Sequence, residues 1–344
     1  MYTEGSQGII ITQTPFRISF FGGGTDFPGY FNECKGAVLG VTIDKFMYVT
    51  INSLKRLNEK RIRLSYSKLE VVDDPADLQH QIVKHILLEH RLYNIKDFLD
   101  IHSYADLPAS SGVGSSSAFA VGMLNALYLL KGIYQTPRAI AKEAIVIERD
   151  KMGDYGGWQD QIFAAYGGFN RIVFNQNDFI VDPVTISIIK KRWLEEACLL
   201  FFTGDLRSSS QVQCNVMNNQ GDEKKGLLNN MYNMVQEGFD ILYNSKTKEE
   251  MIYEFGKLLH KAWIMKKSLS VHVSNEKIDQ LYEKGIQAGA LGGKLCGAGS
   301  GGFVLFIVPE DKRDNVIQSL KQYKKIDIRF HHFGSRVIYS SIVG

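Results

Sequence analysis

The chain has 344 residues, 44% hydrophobic and 22% charged, which excludes a disordered or fibrous protein and exceeds one ordinary core. Lys and Arg number 40 against 37 Asp and Glu, a net charge of +3, which argues against a dedicated nucleic-acid binder.

In chain order, residues 9–51 have a strand pattern of β-branched and aromatic runs, interrupted by Gly22-Gly23-Gly24. A short strand is expected over 61–64 and a helix over 77–93, with Leu78, Ile82, Ile86, Leu87 and Leu88 on its apolar side. A strand at 98–103 then leads through a small-residue loop into an apolar helix over 116–130. Pro137 suits the first turn of a helix running to Lys151. Strands follow near 170–174, 180–186 and 198–203. A charged segment around Lys191 marks the expected boundary between domains 1–191 and 192–344. The second half reads as helices at 223–243, 248–269 and 275–285, a glycine-rich loop at 292–302, a strand at 303–308, a helix at 311–323 and a last strand at 336–342. Helices and strands mixed in both halves indicate an α+β, two-domain protein.

The N-terminal residues 1–8 lack a signal-peptide profile and no apolar run reaches a membrane span, so a cytoplasmic location without membrane contact is expected. Cys34, Cys198, Cys214 and Cys296 lie far apart and read as reduced thiols, neither a zinc site nor a disulfide framework.

The segment from Leu107 to Ala118 is the most informative. Gly112 and Gly114 permit close backbone approach, the serines bring hydroxyls, and the helix that follows offers unpaired N–H groups at the positive end of its dipole. That is an anion site suited to a nucleotide's phosphates. No G-x-x-x-x-G-K-[ST] loop is present, and Gly22-Gly23-Gly24 lacks dinucleotide-fingerprint spacing. The second glycine-rich segment, Gly292 to Gly302, holds six glycines in eleven residues, an entropic cost best explained by a loop lying on a ligand. Lys294 within it could add a point charge. Phosphoryl transfer needs a carboxylate for the attacking hydroxyl, a metal ligand and a cation. Asp160, Glu148 with Ser116, and Arg17 could supply them.

Together these segments resemble the GHMP kinase family. Its first motif matches Thr14 to Asp26, its second Pro108 to Ala118, its third Lys294 to Gly302, and its D-Q dipeptide Asp160-Gln161. The resemblance implies an N-terminal α/β domain, a C-terminal ferredoxin-like domain and an active site between them. It implies that Pro108, Ser110, Ser111, Gly112, Val113, Gly114, Ser115, Ser116 and Ser117 wrap the phosphates of ATP, that Ser116 and Glu148 hold Mg2+, and that Asp160 is the catalytic aspartate with Arg17 near the transferred phosphoryl group. Galactokinase-like members read G-E-H-T-D where this chain reads Gly22-Gly23-Gly24-Thr25-Asp26. Thr25 and Asp26 therefore keep a sugar-binding role beside Gly23 and Gly24, while the missing glutamate and histidine argue against galactose. The forms R-I-S-F-F-G-G-G-T-D-F and G-G-W-Q-D-Q look most like the branch of bacterial kinases that phosphorylate the anomeric hydroxyl of D-glycero-D-manno-heptose 7-phosphate. Lys294, Gly297, Ala298, Gly299 and Arg207 are the further candidates for contact with such a substrate, with Lys266 and Lys267 as additional cations. The expected partners are ATP and a small sugar phosphate, on a monomer or homodimer; another sugar such as fucose, or a non-catalytic binder, is the alternative.

Overall fold

The computed structural model describes residues 7–54, 61–90, 98–176, 178–204, 222–270, 272–297, 299 and 301–342. Two long strands, β1 (Gly8–Phe21) and β2 (Gly36–Leu54), pair antiparallel from Gly8 opposite Ser53 to Phe21 opposite Leu39. Their β-branched and aromatic residues suit a pleated surface packed on a core. On β2 lies β5 (Phe98–Ala105), and β3 (Ile62–Ser65) pairs parallel to β5 and antiparallel to β4 (Leu69–Val72). The other half of β2 carries β6 (Phe169–Asn175), which continues to β7 (Asp178–Pro183).

Helices α1 (Pro28–Phe31), α2 (Gln81–Glu89), α3 (Ser115–Leu130), α4 (Pro137–Val146) and α5 (Gln159–Tyr166) complete the first unit. α3 is apolar on nearly every side because it is enclosed on nearly every side. It meets the sheet closely at Gly122, where a Cβ would stand 2.7 Å from Thr14 Oγ1 and whose carbonyl accepts a bond of 3.0 Å from Thr12 Oγ1.

The second sheet is antiparallel throughout: β8 (Cys198–Phe202), β9 (Gly292–Leu295), β10 (Phe303–Ile307) and β11 (Lys324–Ile326) lie in the order β11-β8-β10-β9. With α7 (Asp222–Asn244), α8 (Lys248–Ser268) and α9 (Glu276–Gln287) between its first two strands and α10 (Arg313–Ser319) between its last two, this is the ferredoxin-like order.

Two expectations are corrected here. The boundary near Lys191 falls inside a helix, α6 (Ile188–Ala197), capped by Ser187; its charged outer face gave the sequence its linker-like look while Leu194 and Ala197 are buried. The end of the chain also leaves the second unit, for β12 (Phe330–His331) pairs with β2 and β13 (Arg336–Ser340) with β1. Residues 192–344 are therefore not one continuous unit.

Phe255 of α8 packs edge-on against Phe20 and Phe21, at centroid distances of 5.2 and 5.0 Å. Each such pair adds about 0.5–1.5 kcal/mol beyond its buried area. They pin the end of β1, and the glycine turn after it, to the second unit. Among the described residues no helix is long and apolar enough to cross a membrane.

Candidate active site

A cavity of about 710 Å3 opens between the two units. The first glycine loop forms one wall. Gly114, with φ of +82°, caps α3 without offering a side chain, so the first N–H groups of the helix are not claimed by a capping side chain and the positive end of the helix faces the cavity. Ser110, Gly112, Gly114, Ser115, Ser116 and Ser117 line it. Pro108, Ser111 and Val113 do not: Ser111 and Val113 are fully buried, and the Ser111 hydroxyl donates to Pro108 O at 2.6 Å. Those three shape the loop from behind.

The second glycine segment differs from expectation in a physically informative way. Its first four residues are strand β9, and Gly297 and Gly302 lie against the first loop. A Cβ on Gly297 would stand 2.4 Å from Gly112 Cα, one on Gly112 2.4 Å from Cys296 O, and one on Gly302 2.2 Å from Ser111 O. Backbone meets backbone across the seam between the units, and no side chain fits there. Gly297 also reaches the cavity, whereas Gly299 packs on Val273. Ala298 and Arg207 lie outside the described residues.

Arg17, on β1, and Asp160, in the first turn of α5, meet at the cavity. Arg17 Nε and Nη2 donate to Asp160 Oδ1 at 2.8 and 2.7 Å, and Nη1 donates to Gly112 O at 2.7 Å. The guanidinium is 5% exposed and the carboxylate 27%, so the second oxygen of Asp160 keeps an open side. Gly114 leaves room for it, since a Cβ there would stand 3.5 Å from Asp160 Oδ2.

Beside this pair, Glu148 accepts from Ser116 Oγ at 2.6 Å, Ser117 Oγ at 2.7 Å and Gln161 Nε2 at 2.5 Å. It stands in a π-helical turn, Ile147–Lys151, that widens the end of α4. Burial pushes its pKa up to about 7 against the pull of those three donors. Glu148 and Ser116 both line the cavity, and a carboxylate with a hydroxyl is the hard-oxygen pair Mg2+ prefers. Among the described residues no cluster of three or more His, Cys, Asp or Glu could hold a metal alone. The residues fit a cation that takes its other ligands from phosphate and water.

Asp26 is buried at the same cavity and receives Gly24 N and Gln159 Nε2, each at 2.9 Å. Burial, ahead of the charge of Asp160, raises its pKa, while the Gly24 N–H bond opposes the rise. Gly157 leaves room for this carboxylate, because a Cβ there would stand 1.9 Å from Asp26 Oδ2 and displace it. Gly23 and Gly24 line the cavity, but Thr25 does not. Its hydroxyl is fully buried among Gly22 O, Ala37 O and Ala37 N, so the expected sugar contact at Thr25 is replaced by a turn-fixing role.

Lys266 and Lys294 lie under the seam. Lys266 Nζ donates to Leu295 O at 3.1 Å and to Gly297 O, and Lys294 Nζ to Phe20 O at 3.0 Å. Burial lowers Lys266 to about 7, with Lys294 adding to the effect, and lowers Lys294 to about 8. Between about pH 7 and 10.5 the unfolded chain holds the Lys266 proton and the folded chain does not, so this residue makes stability rise with pH in that window. Denaturant unfolding of Lys266→Met and the wild type should therefore diverge in the wild type's favour by about 1 kcal/mol per pH unit from pH 7 to 9. A difference independent of pH would show that the amine keeps its proton.

Sequence reasoning missed several cavity groups. Gln159 and Gln161 hold the two acids, and Arg149 follows Glu148 in the π turn. Tyr66, His80 and Tyr104 give the cavity further aromatic walls. The glutamines were visible only as neighbours of Asp160; the aromatics carried no local signal.

An uncapped helix N-terminus, a carboxylate held by arginine and a serine–glutamate oxygen pair line one cavity, an arrangement suited to a small-molecule phosphotransferase. The chain matches the GHMP kinases N terminal domain over residues 80–168 and the GHMP kinases C terminal domain over residues 245–326, and it belongs to the GHMP kinase family, whose members use ATP. It is 36% identical over 342 residues to the D-glycero-alpha-D-manno-heptose 7-phosphate kinase of Campylobacter jejuni, covering 91% of this chain and 93% of that protein. With the bifunctional fucokinase/GDP-fucose pyrophosphorylase of Arabidopsis thaliana it shares 27% identity over 93% of this chain and 32% of that longer protein. Among solved structures, a D-glycero-D-manno-heptose 1-phosphate kinase from Bacteroides thetaiotaomicron superposes with a TM-score of 0.75 at 24% identity, covering 96% of this chain and 99% of that one.

Proposed function

We propose that this kinase moves the γ-phosphoryl group of ATP onto the anomeric hydroxyl of D-glycero-D-manno-heptose 7-phosphate, giving the 1,7-bisphosphate used to make a nucleotide-activated heptose. The observation that carries the reading is the Arg17–Asp160 pair at the cavity, beside the open N-terminus of α3. The 36% identity to a heptose 7-phosphate kinase supports the choice of sugar.

In this reading the N–H groups of α3 and the serines before it hold the ATP phosphates. Ser116 and Glu148 hold Mg2+, which neutralises phosphate charge when bound. Asp26 fixes sugar hydroxyls. The free oxygen of Asp160 accepts or orients the proton of the anomeric hydroxyl, whose oxygen bonds to the γ-phosphorus as the bond to the bridging oxygen breaks and ADP leaves. An anomeric hydroxyl is more acidic than an ordinary alcohol, so full proton removal need not precede transfer. Arg17 positions the carboxylate and offsets charge on the moving group.

The test is ADP release with Mg·ATP across heptose 7-phosphate, free heptose, fucose, galactose and mevalonate. Turnover confined to heptose 7-phosphate is expected. Preference for a free sugar such as fucose would move the substrate, and silence across the panel would make the protein a binder.

A further inference from the structure

Arg149 has no role in the chemistry described above, yet it lines the cavity. It sits one residue after Glu148 in the π turn, and the turn's extra width lets adjacent side chains serve different tasks. Glu148 meets Ser116, Ser117 and Gln161, while Arg149 lines the same cavity within reach of the charges of Asp154 and Asp26.

The surroundings of Arg149 are unusual for a guanidinium. Its Nη1 is buried without a hydrogen-bond partner, and among the described residues no carboxylate forms an ion pair with it. The carboxylates whose charge reaches it are Asp154, Asp26 and Asp150. Two of them are engaged elsewhere: Asp154 Oδ1 accepts from Gly156 N at 3.0 Å, and Asp26 accepts from Gly24 N and Gln159 Nε2.

A guanidinium that lines a ligand cavity and forms no ion pair among the described residues is matched by an anion with several oxygens. Sugar hydroxyls would be served by the carboxylate of Asp26 and need no arginine. A phosphate monoester matches the fork, because two parallel N–H bonds can reach two of its oxygens.

We propose that Arg149 recognises the phosphate monoester of the acceptor sugar and sets the preference for a phosphorylated over a free sugar. The assignment rests on the reading that the acceptor is a sugar phosphate, and it places the second phosphate pocket on the N-terminal unit. It is distinct from the Arg207 and lysine candidates that the sequence offered.

Steady-state turnover of the wild type, Arg149→Met and Arg149→Lys is compared on D-glycero-D-manno-heptose 7-phosphate and on the free heptose. Arg149→Met should lower the ratio of kcat/KM for phosphorylated to free sugar by about 100-fold and leave KM for ATP within about 2-fold. Arg149→Lys, which keeps the charge but loses the fork, should recover part of the ratio. A ratio retained in Arg149→Met, or a rise in KM for ATP in place of that for the sugar phosphate, overturns the assignment. Should thermal denaturation show Arg149→Met to be unfolded, Arg149→Lys decides alone: a ratio lowered about 10-fold supports the proposal and an unchanged ratio overturns it. A wild type that does not prefer the phosphorylated sugar defeats the reading of the substrate before any variant is made, so the two failures are told apart.

Discussion

Asp160→Asn should lower kcat by about 100- to 10,000-fold, the range a positioned general base supplies, while the Kd for Mg·ATP stays within about threefold. The geometry makes this substitution a clean test. Arg17 binds Asp160 through Oδ1 alone, and an asparagine Oδ1 can accept the same Nε and Nη2 bonds. The side chain therefore keeps its place, and Gly114 and the α3 N-terminus keep theirs. What changes is the second oxygen, which becomes an NH2 group with no lone pair for the sugar proton. Near-normal kcat in the variant would mean that transfer needs no carboxylate here and that Arg17 alone carries the pair's contribution. A large rise in the Kd for Mg·ATP would mean instead that Asp160 acts on the nucleotide. Measured thermal stability separates either result from unfolding, because the substitution leaves the largely buried guanidinium of Arg17 without a neutralising charge.

Local chemistry made one part of the site legible. The loop before α3 announces itself because glycine, serine and an enclosed apolar helix are each unusual, and they occur within a dozen residues. Glu148 and Asp160 could be proposed as a pair only because both glycine segments were present. The reading failed where meaning depends on pairing distant in sequence. Nothing between Arg336 and Ser340 says that this strand will lie beside β1 rather than in the second sheet. Thr25 looked like a sugar ligand by its neighbour, Asp26, yet the turn needs its hydroxyl for Gly22, Ala37 and the chain's close return. Arg149 carried no local signal in the sequence; its place in the π turn and at the cavity shows only in the fold. The glycines at 297 and 302 were read correctly as costly and wrongly as ligand contacts alone, since their partner is the first loop.

That loop-on-loop contact predicts that Gly112→Ala will be among the most damaging small substitutions in the chain. Two costs combine there. With φ at +79°, alanine is strained by about 1 kcal/mol before any contact is considered. The new methyl would also stand 2.4 Å from Cys296 O and 2.9 Å from Cys296 C, atoms of backbone that cannot rotate away. The relief open to the structure is to part the seam, and parting it moves the Gly112 carbonyl that holds Arg17 Nη1. ATP binding and Asp160 positioning should therefore fail together, with kcat/KM for ATP lower by about 100-fold or more. Gly132→Ala is the control: its φ is +68°, but a Cβ meets nothing within 4 Å. It should lose about 1 kcal/mol of stability and keep its kinetics, because the strain is the same and the clash is missing. If Gly112→Ala behaved like Gly132→Ala in both stability and kcat/KM, the two glycine loops would have to be free to move apart without cost to the site. The contact would then be a consequence of the fold rather than the device that holds the phosphate loop against the catalytic pair.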